Sequence, residues 1–428
     1  MTKKFILIVF AAIIFAGCSK KNNPTPPVVK TQNYSNKIVL NDVKVTSDSL
    51  QISWSKLDTV NFYQYTLYRK DDASAQMIPV KQLFKKDQTS ISDASVPYSP
   101  IVQYQVVGTL LSGVSISSNI VSYLRMDIKT LPLNPFDVIY SSTDHLLYFF
   151  ETSGMISIYD LQKGEFVRTL NTQATIGYCD FGVYNNKKEL YVPRNDGWIF
   201  VYDAVTLEKI TQINIGLSTS CVVSDNNVLY VSTAAWTQRP LKVYSRATGQ
   251  KISETGDFEL TRFKKVPNTN TDLLEITINI GPTDQDYYKF LTDGTFISHT
   301  DDRYHGDYPL DAGIFEFFPD GNKYITSSNG AIYNTTMTYE ASLPRGTLNF
   351  TTFTFNKTDQ LIYAGCQSKN IEVYSMSDYS HVKTIATKAY PYKIFDDNGK
   401  ILCISKTVKS DSYNNVASAS VVIENINK

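Results

Sequence analysis

Short runs of alternating apolar and polar residues, separated by polar breaks, fill most of this chain. The clearest is residues 158–167 (IYDLQKGEFV), where one apolar stretch ends at Tyr159-Asp160, a Lys-Gly break follows, and a second apolar stretch begins. Such alternation is typical of β-strands, and an Asp- and Gly-bearing break between two of them is typical of a hairpin turn. Long helical patterns are missing, so we expect an all-β protein.

The same strand–turn–strand unit recurs along the chain. Related copies begin at Val201, Val243 and Val373, and degenerate ones at Tyr288 and Ile332. Their tyrosines fall at positions 159, 202, 244, 288, 333 and 374, with steps of 43, 42, 44, 45 and 41 residues. A period of about 40–45 residues with several short strands is the mark of a β-propeller blade. The aspartates and glycines of the unit are predicted to form its turns.

A second apolar strand is expected in every period, and seven can be identified. They are residues 146–149, 189–192, 228–231, 272–275, 323–325, 361–364 and 400–403. The seventh period has a third strand at residues 418–423 but no fourth. Because an unpaired strand edge favours unwanted pairing with other chains, we predict that residues 122–130 form a closing strand that pairs around residues 421–423.

The repeat resembles a known pattern, a strand followed by V-Y-D-x-x-T-G-x and a second strand. Residues 202–206 (YDAVT) and 244–249 (YSRATG) match this pattern best. Through this pattern residues 122–428 resemble the seven-bladed YVTN or YncE-like surface-layer propellers. The resemblance implies a seven-bladed β-propeller, although the fourth and fifth copies depart from the pattern.

The preceding stretch, residues 34–121, has a strand pattern of its own. Residues 50–54 (LQISW) alternate, and further strands are expected at 63–69, 102–107 and 115–121. Trp54 on the second strand, Tyr104 on a later strand and the turn at Gly113 resemble a fibronectin type III domain. The resemblance implies a β-sandwich in which Trp54 and Tyr104 are core residues.

The N-terminal sequence predicts the cellular localisation of the protein. Lys3 and Lys4 precede an apolar run over residues 5–16, which is shorter than the about 20 residues of a membrane-spanning helix and has the layout of a secretory signal. The run closes on Phe-Ala-Gly-Cys, which resembles the lipobox of bacterial lipoproteins of the Bacteroides type. The resemblance implies a signal peptide over residues 1–17 and a lipidated Cys18, which would anchor the protein to a membrane. Ser19 after the cysteine resembles the sorting pattern for the outer membrane.

Residues 18–33 are polar and rich in proline, and we predict a flexible tether there. Display on the periplasmic side and display on the cell surface both remain open.

Composition and motifs exclude several functions. The 41 basic and 41 acidic residues cancel, so no overall field favours nucleic acid. The four histidines stand in no metal-binding spacing, and the acidic loop at residues 301–307 matches no EF-hand. No Gly-x-Ser-x-Gly elbow, Walker loop or dinucleotide fingerprint occurs. We therefore expect no metal and no cofactor, and we assign no catalytic residue.

Four cysteines besides Cys18 stand at Cys179, Cys221, Cys366 and Cys403. They form no Cys-x-x-Cys spacing, so a zinc site is not expected. The envelope permits disulfides. Neighbouring blades diverge, however, so buried free thiols are favoured over disulfides, and the sequence leaves the choice open.

Arginine and aromatic residues are predicted to gather in the loops on one face of the propeller. The candidate ligand-binding residues are Arg194, Trp236, Arg239, Arg262, Arg303, Tyr304 and Arg345. Such side chains suit an anionic or sugar-like ligand, whereas ordinary solvated loop charge is the alternative. Tyr178 and Tyr390 are expected on the same face.

We therefore expect a monomeric envelope lipoprotein that acts as a binding module, with the propeller face recognising a glycan, a peptide or an envelope partner. The alternative is a propeller lyase or hydrolase that acts on an anionic polysaccharide. Clustered arginine, histidine and carboxylate side chains at the channel mouth would favour the enzyme. A plain or aromatic face would favour the binding protein.

Overall fold

Antiparallel β-strands make up the regular structure of the described chain. The computed structural model describes residues 37–46, 49–72, 74–125, 128–278, 280–302, 308–409 and 420–428. These residues contain 35 strands and no helix, which confirms the all-β prediction; accordingly, no helix there is long and apolar enough to span a bilayer. The predicted signal peptide, the predicted tether with Cys18, and the candidate residues Arg303 and Tyr304 lie outside the described residues.

The first eight strands form two sheets. They are β1 (Lys44–Thr46), β2 (Ser49–Ser53), β3 (Phe62–Asp71), β4 (Ile78–Leu83), β5 (Ser90–Asp93), β6 (Ile101–Leu110), β7 (Ser115–Ser117) and β8 (Val121–Leu124). The smaller sheet has the strand order β1-β2-β5, and the larger has the order β4-β3-β6-β7, with β8 also paired to β6. One buried apolar cluster, drawn from residues 38–121, includes Trp54 and Tyr104. The prediction that both are core residues is confirmed.

Seven further sheets follow, and we number them sheets 1 to 7. Sheet 1 contains β9 (Asp137–Ser141), β10 (Leu146–Phe150), β11 (Met155–Asp160) and β12 (Glu165–Asn171). Sheet 2 contains β13 (Asp180–Tyr184), β14 (Lys187–Pro193), β15 (Trp198–Asp203) and β16 (Lys209–Asn214). Sheet 3 contains β17 (Thr219–Asp225), β18 (Val228–Thr233), β19 (Leu241–Ser245) and β20 (Lys251–Thr255).

The later sheets continue the series. Sheet 4 contains β21 (Thr261–Lys265), β22 (Asp272–Thr277), β23 (Gln285–Phe290) and β24 (Phe296–Asp301). Sheet 5 contains β25 (Phe315–Phe317), β26 (Lys323–Thr326), β27 (Ala331–Asn334) and β28 (Tyr339–Ser342). Sheet 6 contains β29 (Phe350–Asn356), β30 (Leu361–Cys366), β31 (Asn370–Ser375) and β32 (His381–Ala386). Sheet 7 contains β33 (Tyr390–Asp397), β34 (Lys400–Lys406) and β35 (Val421–Asn427).

Each of these sheets pairs its strands in chain order. The seven apolar strands predicted from the sequence are the second strands of the seven sheets, β10, β14, β18, β22, β26, β30 and β34, and this prediction is confirmed. These strands are largely buried, because side chains on both of their faces pack into apolar clusters; in β10, Tyr148 and Phe150 join one cluster and Leu147 and Phe149 another. A strand that is covered on both faces is apolar throughout.

The repeated tyrosine occupies the third strand of sheets 1 to 6 and is less than a tenth exposed in every one. In five of these sheets a shift of strand register falls directly before it, and in sheet 4 the shift lies between Lys289 and Phe290. The extra residue of such a bulge bends the strand and increases its twist. The repeat therefore encodes a bent hairpin as well as a buried tyrosine side chain.

The turn after the tyrosine is held by its aspartate. The Asp160 carboxylate accepts hydrogen bonds from the backbone N–H groups of Gln162 and Lys163, both at 2.9 Å. Asp203 accepts the corresponding two at 2.9 Å in sheet 2. Each carboxylate satisfies donors that the chain reversal leaves without a strand partner. The prediction that these aspartates form turns is confirmed.

The closing strand predicted at residues 122–130 is not found at the described residues 122–125 and 128–130. Val121–Leu124 pairs with β6, with Tyr123 opposite Val102, because Val121 and Tyr123 pack against the apolar cluster of the first two sheets. Leu131 instead reaches sheet 7, where it exchanges two backbone hydrogen bonds of 2.9 Å with Val421. Among the described residues, the backbone pairing that joins the start of the seven sheets to sheet 7 is therefore a single residue bridge.

Leu131 offers a direct test of this contact. Its side chain is buried among apolar residues of sheets 1 and 7, so Leu131→Ala is expected to destabilise the protein by about 2–5 kcal/mol. The control Leu124→Ala removes an exposed side chain and should change stability by less than about 0.5 kcal/mol. Calorimetric melting of both variants measures the difference. Equal melting temperatures would contradict the structural role of Leu131.

Candidate ligand-binding cavity

The first strands of all seven sheets line one cavity. It has a volume of about 520 Å³, and its wall includes residues from β9, β13, β17, β21, β25, β29 and β33. In the middle of each sheet the second strands are apolar and packed. Five of the first strands, β9, β13, β21, β25 and β33, place charged residues in the cavity wall. The cavity is thus the place where the sheets bring together groups that are distant in sequence.

Asp137 lies at the centre of the charged groups. Its carboxylate is 2.9 Å from the Lys393 ammonium and 3.6 Å from the Arg262 guanidinium, so strands of sheets 1, 7 and 4 meet there. Burial alone would raise the pKa of Asp137, but Lys393 and Arg262 outweigh it and hold that pKa below its usual range. One carboxylate is therefore shared by two buried cations, which leaves one positive charge in excess in this triad.

Arg262 is fixed by further contacts. Its guanidinium donates hydrogen bonds to the carbonyls of Ala312, at 2.9 Å, and Gly313, at 3.3 Å. It also lies over the Tyr178 ring, 4.0 Å from the centroid, within the range of a cation–π contact. The guanidinium is thus held in one orientation at the cavity wall before any ligand arrives.

Lys264 lies two residues along the same strand and is ion-paired with Glu316 of β25. Burial lowers the pKa of Lys264 to about 8; Glu316 opposes this effect, and the positive charges of Arg262 and Lys393 add to it. A lysine with such a pKa is still mostly protonated at pH 7, and an anion placed beside it would stabilise the ammonium form further. The cavity is therefore electrostatically prepared for an anionic group.

An aromatic mouth adjoins the cavity. A second space of about 360 Å³ shares Tyr178 and Lys393 with the first and is lined by Phe136, Tyr390 and Tyr392. The Tyr392 hydroxyl donates to the Phe136 carbonyl at 2.5 Å, which ties sheet 7 to sheet 1 at this mouth. Tyr178 and Tyr390, expected from the sequence on one face, do lie together here.

Asp180 and two cysteines line another part of the wall. Burial raises the pKa of Asp180 to about 6, although its carboxylate accepts a hydrogen bond of 2.7 Å from the Ser224 N–H. Cys179 and Cys221 are buried free thiols, as are Cys366 and Cys403, which confirms the state favoured from the sequence. Burial raises the pKa of Cys221 to about 12, so this thiol is not a reactive thiolate at neutral pH.

The structure separates the candidate residues predicted from the sequence. Arg262 belongs to the cavity, but it lies on strand β21 and not in a loop, which corrects its predicted position. Arg194 does follow a strand, yet it is buried: it pairs with Asp196, donates to the Thr172 carbonyl and covers the Phe200 ring. These contacts explain Arg194 as a residue that holds a turn in place.

The remaining described candidates lie outside the two cavity linings. Trp236 is 80% exposed, and Arg239 is also exposed, in the loop between β18 and β19. Arg345 is half-buried and donates to the carbonyl of Leu348. Sequence reasoning missed Lys264, Lys393 and Asp137, although charged residues inside a strand with apolar neighbours were the available clue.

Comparisons with known proteins do not assign this chain to a family. No protein family model matches this chain, and no characterised protein matches it.

A separate acidic cluster lies within sheet 4. Carboxylate oxygens of Asp284, Asp286 and Asp301 lie within 4.8 Å of one another, and Glu275 faces Asp286 across β22 and β23. Glu275 is buried, and neither of its oxygens receives a hydrogen bond from a described residue. The pKa of Glu275 is raised by burial and, to a smaller extent, by the negative charge of Asp286. Burial also raises the pKa of Asp286. The hydrogen bond to Asp286 raises the pKa of His299.

Competitive acetylation at a series of pH values, read by mass spectrometry, should give Lys264 a pKa near 8. Glu316→Gln should lower this midpoint further, because the negative charge that stabilises the ammonium is lost. The control Glu208→Gln removes an exposed carboxyl in sheet 2 and should leave the midpoint unchanged. A midpoint for Lys264 near 10.5 would contradict the description of the cavity.

The acidic cluster predicts a pH-dependent stability. The folded-state pKa values of Glu275, Asp286 and His299 are all raised, so the unfolded chain loses these protons first and stability falls as pH rises above about 4.5. Glu275→Gln should melt close to wild type at pH 4.5 but at a higher temperature at pH 8. Each unit by which the Glu275 pKa is raised corresponds to about 1.4 kcal/mol.

Calorimetric melting of wild type, Glu275→Gln and the exposed control Glu208→Gln between pH 4.5 and 8 measures this effect. An equal temperature difference between wild type and Glu275→Gln at all pH values would show that Glu275 ionises normally.

Proposed function

We propose that sheets 1 to 7 are the blades of a seven-bladed β-propeller and that the first two sheets form a fibronectin type III-like sandwich. Two features support the propeller: the first strands of all seven sheets line one cavity, and sheet 7 contacts sheet 1 through Leu131–Val421, Tyr392–Phe136 and Lys393–Asp137. The shared apolar cluster of residues 38–121 supports the sandwich. The sequence motifs Trp54, Tyr104 and the turn at Gly113 also support the sandwich.

The protein is proposed to be a lipoprotein of the bacterial outer membrane. The support is the lipobox-like sequence that ends at Cys18, after the apolar run of residues 5–16. Acyl chains on Cys18 would supply the anchor, and residues 18–33 the tether. The sandwich and the propeller then form the part that meets ligands.

The proposed function is the binding of an acidic saccharide in the central cavity. The observation that carries it is the triad of Arg262, Asp137 and Lys393, in which one buried carboxylate is shared by two cations. A carboxylate or sulfate group would supply the missing negative charge through charge-assisted hydrogen bonds. The rings at the mouth, Tyr178, Tyr390 and Phe136, offer surfaces on which a sugar ring can stack.

A second candidate function is a lyase or hydrolase that acts on the same acidic saccharide. It is favoured by one observation: Asp180, with a pKa raised to about 6, and Lys264, with a pKa lowered to about 8, line the same cavity. Groups with such values can exchange protons near neutral pH. The described lining includes arginine and carboxylates but no histidine, so the sequence-based criterion for an enzyme is met only in part.

Binding of uronic-acid, sulfated and neutral oligosaccharides by calorimetry tests the proposal. The wild type should bind an acidic oligosaccharide and not its neutral counterpart. Lys264→Met keeps the side-chain length and removes the charge, and it should weaken binding at least about tenfold, because a hydrogen bond to a charged group contributes about 1.5–3 kcal/mol. The control Lys289→Met removes an exposed lysine of β23 and should bind as the wild type does.

The double variant Trp236→Ala/Arg239→Ala separates this cavity from the loop site predicted from the sequence. Loss of binding in that variant, with normal binding by Lys264→Met, would refute the cavity and support the loop. If no acidic saccharide binds but peptides with a free carboxyl terminus do, the ligand class is wrong. Shortened oligosaccharides after incubation, abolished by Asp180→Asn, would establish the enzyme instead.

A further inference from the structure

One end of the first two sheets exposes a group of apolar side chains. Val60, Tyr63, Phe84, Leu111 and Val114 are 71%, 49%, 61%, 69% and 55% exposed, and we call them the end patch. Single exposed apolar residues are ordinary on protein surfaces, but a contiguous group of them marks a site of interaction. The question is whether these five are contiguous and what they would contact.

Backbone and ring contacts bring the five residues together. The rings of Tyr63 and Phe84 meet edge to face, with centroids 6.2 Å apart. The Leu111 N–H donates to the Asn61 carbonyl at 2.8 Å, and the Leu110 N–H donates to the Val114 carbonyl at 2.9 Å. The loop before β3, the end of β4 and the turn between β6 and β7 therefore form one continuous edge.

Lysines surround this edge. Lys37, Lys56 and Lys85 are exposed, and Lys86 donates to the carbonyl of Thr59 at 3.0 Å beside the patch. The acidic neighbours are Asp58 and Asp87, and Asp87 is paired with Lys56. Four cations against two carboxylates give the end patch a positive rim. Apolar tips with a lysine rim suit an interface with anionic lipid headgroups.

The chain enters the first two sheets at this same end. Leu40 pairs antiparallel with Trp54, so the backbone before Leu40 runs alongside residues 55–57 toward the patch. The side chains of Ile38 and Leu57 accordingly both lie against Gly108. The opposite end faces sheet 7, where the Tyr98 N–H donates to the Thr407 carbonyl at 2.8 Å. The patch therefore points toward the N-terminal segment and away from the cavity.

We propose that the end patch rests on the lipid surface and holds the protein upright, with the cavity away from the membrane. The proposal rests on the membrane attachment proposed above. The 19 residue steps between Cys18 and Lys37 reach at most about 65 Å even when fully extended. A surface tethered so closely experiences a high effective concentration of lipid, so weak contacts from five side chains suffice.

The experiment uses the full-length protein reconstituted in vesicles of phosphatidylethanolamine and phosphatidylglycerol. The four described cysteines are buried, so a new surface cysteine can be labelled selectively. Phe84→Cys and Leu111→Cys carry an environment-sensitive fluorophore in the patch, and Trp236→Cys carries it at an exposed site in sheet 3. Quenchers are a lipid with a nitroxide near the headgroup and aqueous iodide.

Labels at positions 84 and 111 should be quenched at least threefold more by the nitroxide lipid than the label at 236, and threefold less by iodide. Adding Lys56→Glu and Lys85→Glu should reduce the lipid quenching. Equal quenching at all three positions, in protein that floats with the vesicles, would refute the patch while leaving the attachment intact. Protein that fails to float would refute the attachment and the patch with it, and saccharide binding, measured separately, would be unaffected.

A second copy of the chain is the competing occupant of the patch. In detergent solution without vesicles, the iodide quenching of labels at 84 and 111 should not change with protein concentration. Protection that grows with protein concentration would identify the patch as a dimer interface and overturn the proposal.

Discussion

The contact of Asp137 with Lys393 and Arg262 is the interaction on which the arrangement of the seven sheets depends. It joins the first, fourth and seventh sheets at the cavity wall, where all three side chains are largely buried. Removing one member of a buried charge group is strongly destabilising, because its partners remain buried without compensation. The same three side chains that join distant sheets also form the wall of the proposed binding cavity, so stability and ligand recognition draw on one set of charges.

Much of the fold could be read from the sequence because the repeat imposes the same physical demands six times. A buried tyrosine on the third strand, as at Tyr202, and a turn aspartate, as at Asp203, each answer a local requirement that neighbouring residues reveal. The second strands were equally clear, since strands enclosed on both sides must be apolar. The core positions of Trp54 and Tyr104 were also predictable, because both are large aromatic residues within alternating strand patterns.

The cavity could not be predicted from the sequence, because the strands that line it lack a clear strand pattern. Strand β21 (Thr261–Lys265) carries Arg262 and Lys264 beside Phe263, and a polar strand of this kind resembles a loop in sequence. Its charges are tolerated only because partners arrive from Asp137 and Glu316, which lie more than 50 positions away. The bridge at Leu131 escaped for a different reason: a single residue directly before Pro132, without alternating neighbours, carries no strand signal. Tyr123 lies in an alternating stretch that could have paired either with β6 or with sheet 7.

That bridge also determines how the molecule would bear mechanical load. A pull on the N-terminal segment is transmitted through the first two sheets to residues 125–131, and without the bridge it would peel β9 from the rest of sheet 1. The two hydrogen bonds between Leu131 and Val421 divert part of that force into the last sheet. Tension therefore loads both ends of the series at once, and the sheets would resist it collectively.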